Sequence, residues 1–394
     1  MNKVKIVAIA KDEAAYFSEW VHHHLFVGVN SIDVYVNRTT DNSVEVLDKI
    51  SKAYPQVSVK NADWIDTCST SVRSAMQYIT YAKAFTEEKE RGEFTHLLFI
   101  DIDEFWISKD FNKKIADCIN EIGCDNPIAF EWLNESPAIE PFQTLSQTLS
   151  GVQSNLVKTL VPLNSVVKHI DIHLPIFAEA TPAILLADGS IASRKEGMKQ
   201  AVQTDIEKIK DYFILHRSIR SHFEYVSLLL KGNPEDDHPF KQNRKGIKTF
   251  GNDFVQTVEL NEVNFVTYQN SFLKFQQSCD YSVEIEEAKA FVTQRYSDSI
   301  KALKNSIHGN YNILRSIFFG VEIDEIRVLF KSYRMDIIES KRYTLQDLRH
   351  FYNDTFFYDE DEAFIYISLA KKVHPTGPWI NDEYNKLNNK RNSK

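Results

Sequence analysis

The chain contains 394 residues, more than one compact domain usually needs, so we expect one main domain and a smaller appendage. Its composition, with 43% hydrophobic and 26% charged residues, is that of a soluble globular protein. The net charge of −9 argues against a nucleic-acid partner, because a general nucleic-acid binder needs a basic surface.

The first hundred residues alternate between strand and helix patterns. Short apolar runs predict strands at 4–10, 31–37, 56–60 and 95–101. Helical spacing of apolar residues predicts helices at 13–26, 43–54 and 70–90. This order predicts an α/β fold with a mostly parallel, doubly wound sheet of Rossmann type.

The pattern changes after Phe105. We expect a helix near 111–122, a strand at 126–132, and a loop over 134–155, where periodicity is weak. Short strands are predicted as an antiparallel extension of the sheet at 157–162, 166–174, 183–187 and 211–215. From Ser221 onward the sequence is almost wholly helical. We therefore predict an α/β domain over 1–250 and a helical C-terminal region over 251–394.

Several features bear on the location of the protein. The four cysteines form no Cys-x-x-Cys pair and are expected to be reduced thiols of a cytosolic protein. The apolar run 4–10 is too short for a signal peptide, and no run reaches the roughly 18 residues of a membrane span. Residues 241–248 (KQNRKGIK) are basic, which indicates a solvated helix face or, alternatively, a contact with anionic lipid headgroups or an anionic acceptor. We expect a cytoplasmic protein, at most peripheral to the inner membrane.

The strongest chemical signal is LLFIDIDEFW at 97–106, where an apolar strand ends at Asp101 and is followed by Asp103 and Glu104. Ligands of open α/β sheets bind at the carboxyl ends of strands. Asp101 and Asp103 are two residues apart on extended backbone and therefore project to the same side. Carboxylates suit Mg²⁺ and Mn²⁺, which bind diphosphates. We predict a metal site at Asp101 and Asp103; a pair of solvated loop acids is the alternative.

Four segments give the chain a resemblance to a known group of enzymes. They are residues 5–37 (KIVAIAKDEAAYFSEWVHHHLFVGVNSIDVYVN), 95–106 (THLLFIDIDEFW), 214–233 (ILHRSIRSHFEYVSLLLKGN) and 371–380 (KKVHPTGPWI). They resemble segments of the glycosyltransferase family 2 and family 92 group, which has the GT-A fold. The chain departs from the group's usual residues at Asp12, Asn37-Arg38, Arg217 and Arg220.

The resemblance implies inverting transfer of a hexose from a nucleoside-diphosphate sugar, preferably a UDP-sugar. It implies Mn²⁺ or Mg²⁺ as cofactor and a glycan or glycolipid acceptor, such as lipooligosaccharide or capsule. His216 would be a third metal ligand, or alternatively a helix cap. The implied donor-binding residues are Ala10, Lys11, Glu13, Asn37, Arg38, Arg73, Gln77, Asp101 and Ile102. For Glu13 the alternative is a helix N-terminal acid, and for Arg38 an exposed loop arginine.

Inverting transfer needs a carboxylate that deprotonates the acceptor hydroxyl. Glu131, Glu135 and Asp171 are the candidates, because EWLNES at 131–136 resembles the group's acceptor segment and Asp171 lies after the metal motif. Trp132, Asn134 and His173 would then contact the acceptor, although a core tryptophan and a structural histidine are simpler explanations for two of them.

Other classes of function have less support. The sequence contains no GxGxxG, GxxxxGK[ST] or GxSxG motif, which argues against nicotinamide, P-loop and hydrolase chemistry. A nucleotidyltransferase would share the sheet and the carboxylates, but its Gly-rich first loop is missing. A catalytically inactive GT-A-like glycan-binding protein would not need Asp101, Asp103 and Glu104. The sequence does not indicate an oligomeric state.

Overall fold

The computed structural model describes residues 2–179, 181–203, 208–232, 239–248 and 251–392. The described residues form two compact units. The first takes its residues from Met1–Asp237 and Phe250–Tyr296, and the second from His238–Thr249 and Ser297–Lys394. The domain boundary predicted at residue 250 falls on residues 249–250, outside the described part of the chain, and stays a prediction.

The first unit contains a large sheet and a two-stranded one. The strands of the large sheet are β1 Val4–Ala10, β2 Ser31–Val36, β3 Val57–Asn61, β4 His96–Phe99, β5 Glu104–Ser108, β6 Ile128–Glu135, β7 Thr148–Pro162, β10 Leu185–Leu186, β11 Ser193–Lys195, β12 Met198–Gln203, β13 Tyr212–His216 and β14 Gln256–Glu259. The small sheet pairs β8 Val167–His169 with β9 Ile176–Phe177.

The strand directions place the carboxyl ends of most strands at one edge of the sheet. The order is β3-β2-β1-β4-β7-β6-β13-β5, in which only β7 and β5 run against the other six strands. The carboxyl ends of β1, β2, β4, β6 and β13 therefore meet at the same edge. The predicted fold class, α/β with a mostly parallel sheet and a helical C-terminal region, is confirmed.

Helices pack against the sheet because their apolar faces need burial. The helices of the first unit are α1 Ala14–Phe26, α2 Ser43–Ala53, α3 Thr70–Arg73, α4 Met76–Arg91, α5 Ile115–Ile122, α6 His222–Leu229 and α7 Glu262–Cys279. In α1, Phe17, Trp20 and Val21 are fully buried in the same core as β1 and β2. Short 3-10 turns lie at Asp63–Thr67 and Asn252–Phe254.

The second unit is helical. Helix α8 (Ser282–Ile317) belongs to the first unit up to Tyr296 and to the second from Ser297. The other helices are α9 Asp324–Glu339, α10 Leu345–Thr355, α11 Glu360–Val373 and α12 Pro378–Asn392. No helix in the described ranges is both long and apolar enough to cross a membrane.

The loop predicted over 134–155 is correct only for residues 136–147, because β6 extends to Glu135 and β7 begins at Thr148 and runs for 15 residues. Leu149, Gly151 and Gln153 are buried, and β7 is paired with β6 on one side and β14 on the other. Buried and more exposed residues alternate over 149–153. This alternation is not evident from the sequence, because the segment is rich in Ser, Thr and Gln. At Gly151 a Cβ atom would lie 2.2 Å from the backbone oxygen of Asn134, so glycine permits the close approach of β6.

The antiparallel extension is only partly correct. The predicted strand 157–162 lies in β7, which pairs antiparallel with β4 and β6. The predicted strand 211–215 lies in β13, which pairs antiparallel with β5 but parallel with β6. The predicted strand 183–187 contains β10, which pairs parallel with β6. The strand predicted over 166–174 consists of β8 and part of a turn. The helix predicted over 70–90 is divided into α3 and α4.

Candidate active site

The predicted site residues come from loops at one edge of the large sheet. Lys11 follows β1, Asn37 follows β2, Asp101 follows β4, and Glu135 and His216 end β6 and β13. Because these strands run in the same direction, their carboxyl ends form one rim. This is the position that the sequence predicts for a ligand site.

The turn after β4 is fixed by hydrogen bonds. The Trp20 indole donates to the backbone oxygens of Asp101 (3.0 Å) and Glu104 (2.9 Å). The backbone N–H of Asp101 donates to Glu104 Oε2 at 2.8 Å. The side chain of Gln77 donates to Asp101 Oδ1 at 3.0 Å. The buried Trp20 and Glu104 thus hold Asp101 at the rim, where 35% of its side chain is exposed.

A buried lysine contacts the same carboxylates. Lys158 Nζ lies 3.0 Å from Asp101 Oδ2 and 3.1 Å from Glu104 Oε2, and its side chain is fully buried. Burial alone would lower the pKa of Lys158, but Asp101 and Glu104 outweigh burial and raise the pKa above its usual value. Burial raises the pKa of Glu104 to about 7, against the attraction of Lys158. Sequence reasoning missed Lys158; its one signal is a lysine inside the apolar run LVKTLV.

Asp103 and His216 form the other half of the predicted metal site. Asp103 Oδ2 and His216 Nε2 are 3.7 Å apart. His216 Nδ1 lies 3.0 Å from Asn134 Oδ1, so when Nδ1–H donates to Asn134, Nε2 presents its lone pair towards Asp103. The predicted acceptor residue Asn134 therefore orients the imidazole.

The predicted set of three metal ligands is not assembled. Gln77 and Lys158 occupy the two carboxylate oxygens of Asp101, while Asp103 and His216 approach each other. Within the described residues, no group of three or more His, Cys, Asp or Glu side chains is arranged to hold a metal ion. Two ligands suit Mg²⁺ or Mn²⁺, which proteins commonly bind through one or two side chains together with substrate phosphates.

Two further acceptor candidates lie beside His216. The Trp132 ring centroid is 4.0 Å from that of His216 and 4.9 Å from that of His173. Trp132 is only 7% exposed, so it offers little surface for stacking on an acceptor. Burial, together with Lys158, lowers the pKa of His173 to about 4 and keeps the ring neutral. Contact of these residues with an acceptor stays a prediction.

The turn after β1 lies beside a cluster of cations, two of which come from residues on either side of α6. Glu13 lies 2.5 Å from Lys231 Nζ and 3.1 Å from Arg220 Nη2. Burial would raise the pKa of Glu13, but these two cations outweigh it and lower the pKa. Lys11 donates to the backbone oxygen of Lys231 at 3.2 Å, and burial and nearby cations lower its pKa. The predicted contact of Glu13 with a base or ribose would require it to leave these partners.

Arg220 also shows backbone strain. Its φ of +60° lies in the left-handed region, which is uncommon for a residue other than glycine. Its guanidinium lies 3.5 Å from the ring centroid of Tyr16. Arg220, Tyr16, Ile102 and Arg217 line a cavity of about 110 Å³ in the first unit. Ile102, which was predicted to bind the nucleotide-sugar donor, is thus buried at the wall of this cavity.

The remaining donor candidates lie after β2 and on the next helices. Arg38 Nε donates to Asp66 Oδ2 at 2.7 Å, and Asn37 lies within 3.4 Å of the same carboxylate. Arg38 would have to exchange Asp66 for a phosphate. Arg73 donates to Thr70 and interacts electrostatically with Asp66. Ala10 is buried and contributes its backbone oxygen, which accepts from the N–H of Asn37.

The three candidate bases differ in environment. Glu131 is fully buried in β6, with Lys210 Nζ 3.3 Å from Oε2, so it does not reach an acceptor hydroxyl in this conformation. Glu135 Oε2 accepts from Arg217 Nε at 2.6 Å and is 12% exposed. Asp171 lies half-buried between β8 and β9 and interacts electrostatically with Arg194. The placement disfavours Glu131 as the base and leaves Glu135 and Asp171.

Part of this edge of the sheet lies within a region that is similar to a known family, while His216, Arg220 and Lys231 lie outside that region. Residues 4–169 match the sequence profile of glycosyltransferase family 92. The matched region is less than half of the chain and includes Asp101, Asp103, Glu135 and Lys158. Of the two families that the sequence resembles, family 92 is the one that is matched. The match supports a glycosyltransferase.

Other comparisons add little. Among solved structures, the apo structure of the WbbM bifunctional glycosyltransferase is similar, with 18% sequence identity and a TM-score of 0.23. The similarity covers 33% of this chain and 23% of that one, so the chain spans only about a quarter of that protein's length. No curated protein matches the chain in sequence.

Proposed function

We propose that the protein is a metal-dependent glycosyltransferase that transfers a hexose from a UDP-sugar to a glycan or glycolipid acceptor with inversion. The observation that carries the proposal is the approach of Asp103 to His216, 3.7 Å apart at the rim of the sheet. The match of residues 4–169 to a glycosyltransferase family supports the reaction class. The cytoplasmic location predicted from the sequence, free or at the inner membrane, is part of the proposal.

The proposed metal ligands are Asp103 and His216, because a carboxylate and a neutral imidazole are suitable donors for Mn²⁺ or Mg²⁺. Two side chains leave coordination positions for a diphosphate. A bound metal ion would neutralise the negative charge that develops on the departing nucleoside diphosphate. Asn134 fixes the ring of His216 through its 3.0 Å contact with Nδ1.

The cation cluster near Glu13 supports an anionic donor. Lys231 and Arg220 contact the Glu13 carboxylate, and Lys11 donates to the backbone oxygen of Lys231. Asp12 lies near Lys11, and Glu224 lies near Arg220. Asp103 interacts electrostatically with Arg220 and Glu13, so the cluster is close to the proposed metal ligands. A diphosphate at this position would be attracted by both the metal ion and the cations.

The proposed base is Glu135 or Asp171, since Glu131 is fully buried against Lys210. Glu135 is held by Arg217, whose guanidinium also lies 3.3 Å from Glu19. An acceptor hydroxyl would have to come within hydrogen-bond distance of the base when the acceptor binds. Glu135→Gln and Asp171→Asn, assayed at saturating donor, separate the two candidates by their effect on kcat.

The activity test uses the purified full chain with a panel of nucleoside-diphosphate sugars, Mn²⁺ and a mixed glycan acceptor, and measures released nucleoside diphosphate. We expect release from a UDP-sugar by the wild type and a loss of at least about 100-fold in Asp103→Asn. Asp48→Asn, an exposed acid on α2, is the matched control and should retain full activity. Release that is unchanged in Asp103→Asn would overturn the metal site. Formation of a nucleotidyl product, or glycan binding without turnover, would favour the two alternatives raised by the sequence.

A further inference from the structure

Lys158 lies in the interior of the large sheet, where a charged residue is costly. Its strand, β7, is paired with β6 through Phe130 and with β4 through neighbouring residues such as Leu160. Its side chain is fully buried, as is that of Glu104. A buried ammonium requires close carboxylates, and Lys158 has two, at 3.0 and 3.1 Å.

Stability alone does not explain this lysine. A buried ion pair often contributes little net stability, because desolvation of the two charges offsets their attraction. Lys158 does have a specific structural consequence. Lys158 donates to one carboxylate oxygen of Asp101 and Gln77 donates to the other, while the backbone N–H of Asp101 donates to Glu104. The carboxylate of Asp101 is therefore held in one orientation by these contacts, and Lys158 compensates part of its negative charge.

We propose that Lys158 is a positioning residue that withholds Asp101 from the metal ion, so that the metal binds through Asp103 and His216 and is held firmly only together with the donor diphosphate. This inference rests on the proposed function, and it concerns which side chains of that site bind the metal ion. With Lys158 present, the protein offers two ligands to the metal. Without it, the Asp101 carboxylate can rotate and become a third.

The substitution Lys158→Met alone would leave Glu104 buried without a counter-ion and could unfold the protein. The double variant Lys158→Met/Glu104→Gln avoids this problem. It removes one positive and one negative charge, so the net charge of the site is unchanged. A change in Mn²⁺ affinity would therefore report the release of Asp101 and not an added charge.

The experiment measures Mn²⁺ binding to the full chain by electron paramagnetic resonance, with and without UDP. In the absence of UDP we expect Lys158→Met/Glu104→Gln to bind Mn²⁺ about tenfold more tightly than the wild type, the scale of change typical for groups that orient metal ligands. Adding Asp101→Asn to the double variant should abolish this gain. Asp101→Asn in otherwise wild-type protein should change Mn²⁺ affinity by less than about twofold, because Asp101 is then not a ligand.

The matched control is Lys5→Met/Glu88→Gln. Lys5 is another buried lysine between two carboxylates, 2.8 Å from Asp33 and 2.9 Å from Glu88, in the amino-terminal half of β1. This variant should bind Mn²⁺ as the wild type does. If Asp101→Asn alone weakens Mn²⁺ binding tenfold, or the Lys158 double variant binds Mn²⁺ like the wild type, the role of Lys158 is wrong while the transferase proposal stands. If no variant binds Mn²⁺, even with UDP, both are wrong.

Discussion

Three adjacent histidines in α1 have the residue type of a metal site but a structural environment. His22 contacts the rings of Tyr268, Phe272 and Phe275, and His23 lies 2.8 Å from the backbone oxygen of Trp106. Burial lowers the pKa of His22 to about 3 and that of His23 to about 4. Both rings are therefore neutral at physiological pH and pack as part of the core.

The buried His22 should make the protein sensitive to acid. The pKa of His22 is lower in the folded state than the ordinary value of about 6.5 in the unfolded chain. Its contribution to stability is complete above pH 6.5 and is lost as the pH falls towards 3. At pH 5 this loss amounts to about 2 kcal/mol. His22→Phe should therefore lose about 2 kcal/mol less than the wild type between pH 7 and pH 5.

Urea unfolding at the two pH values, followed by tryptophan fluorescence, measures this difference. An identical loss of stability in His22→Phe and wild type would show that His22 does not contribute.

The residues of the candidate site were predicted from the sequence, but most of their contacts were not. Asp101 and His216 were predicted because they end predicted strands, Asp103 because it follows Asp101, and all three because they match the group's motifs. The partners of Glu13 were not predicted, because Arg220 and Lys231 are 207 and 218 residues away in the chain. The contact of Lys158 with Asp101 likewise depends on strand pairing that no local pattern reveals.

At the scale of elements, β7 is the central strand of the part of the sheet that was predicted least well from the sequence. It pairs with β4, β6, β12 and β14 and carries Lys158. The first four strands were predicted well because they are short apolar runs separated by helices. β5 was not predicted as a separate strand, because it begins only three residues after Asp101, within the motif itself.

The pairing of β6 and β7 depends on Gly151. A methyl group there would lie 2.2 Å from the backbone oxygen of Asn134, so Gly151→Ala must push the two strands apart. We expect a loss of about 1–3 kcal/mol in the free energy of unfolding, as for other overpacked sites. Because Asn134 contacts His216, Gly151→Ala should also weaken Mn²⁺ binding in the presence of UDP.

Gly309 in α8 is the matched control, since nothing lies within 4 Å of the Cβ position. Gly309→Ala should stabilise the protein by about 0.5–1 kcal/mol, because glycine is a poor helix former. Urea titrations of both variants test the pair of expectations. Equal stability of Gly151→Ala and wild type would mean that the strands have room for a side chain.

At the scale of the whole molecule, the chain forms two compact units. The site described above lies in the first. The second is built around buried side chains of α9 to α11, among them an ion pair between Arg334 and Glu362, with Nη2 and Oε1 2.8 Å apart and both side chains 1% exposed. The sequence predicted a helical C-terminal region from amphipathic patterns but could not identify this pair.

Substitutions of the buried Arg334–Glu362 pair test what stabilises the second unit. Arg334→Met leaves the buried Glu362 with only Lys331, 3.8 Å away and half exposed, as a counter-ion, and should lower the stability of that unit by about 3 kcal/mol. Arg334→Met/Glu362→Gln should recover most of this loss, because no unpaired charge remains. Differential scanning calorimetry of both variants measures the effect. If the single variant is as stable as the double variant, Glu362 does not need its partner.

The central claim is that Asp103 and His216 bind a metal ion that is shared with a nucleoside diphosphate. The most direct test is the affinity of UDP for the full chain, measured by titration calorimetry with and without Mn²⁺, in the wild type and in Asp103→Asn. We expect Mn²⁺ to raise the affinity of the wild type for UDP at least about tenfold and to have no such effect in Asp103→Asn. Equal affinity for UDP with and without Mn²⁺ in the wild type would contradict the claim.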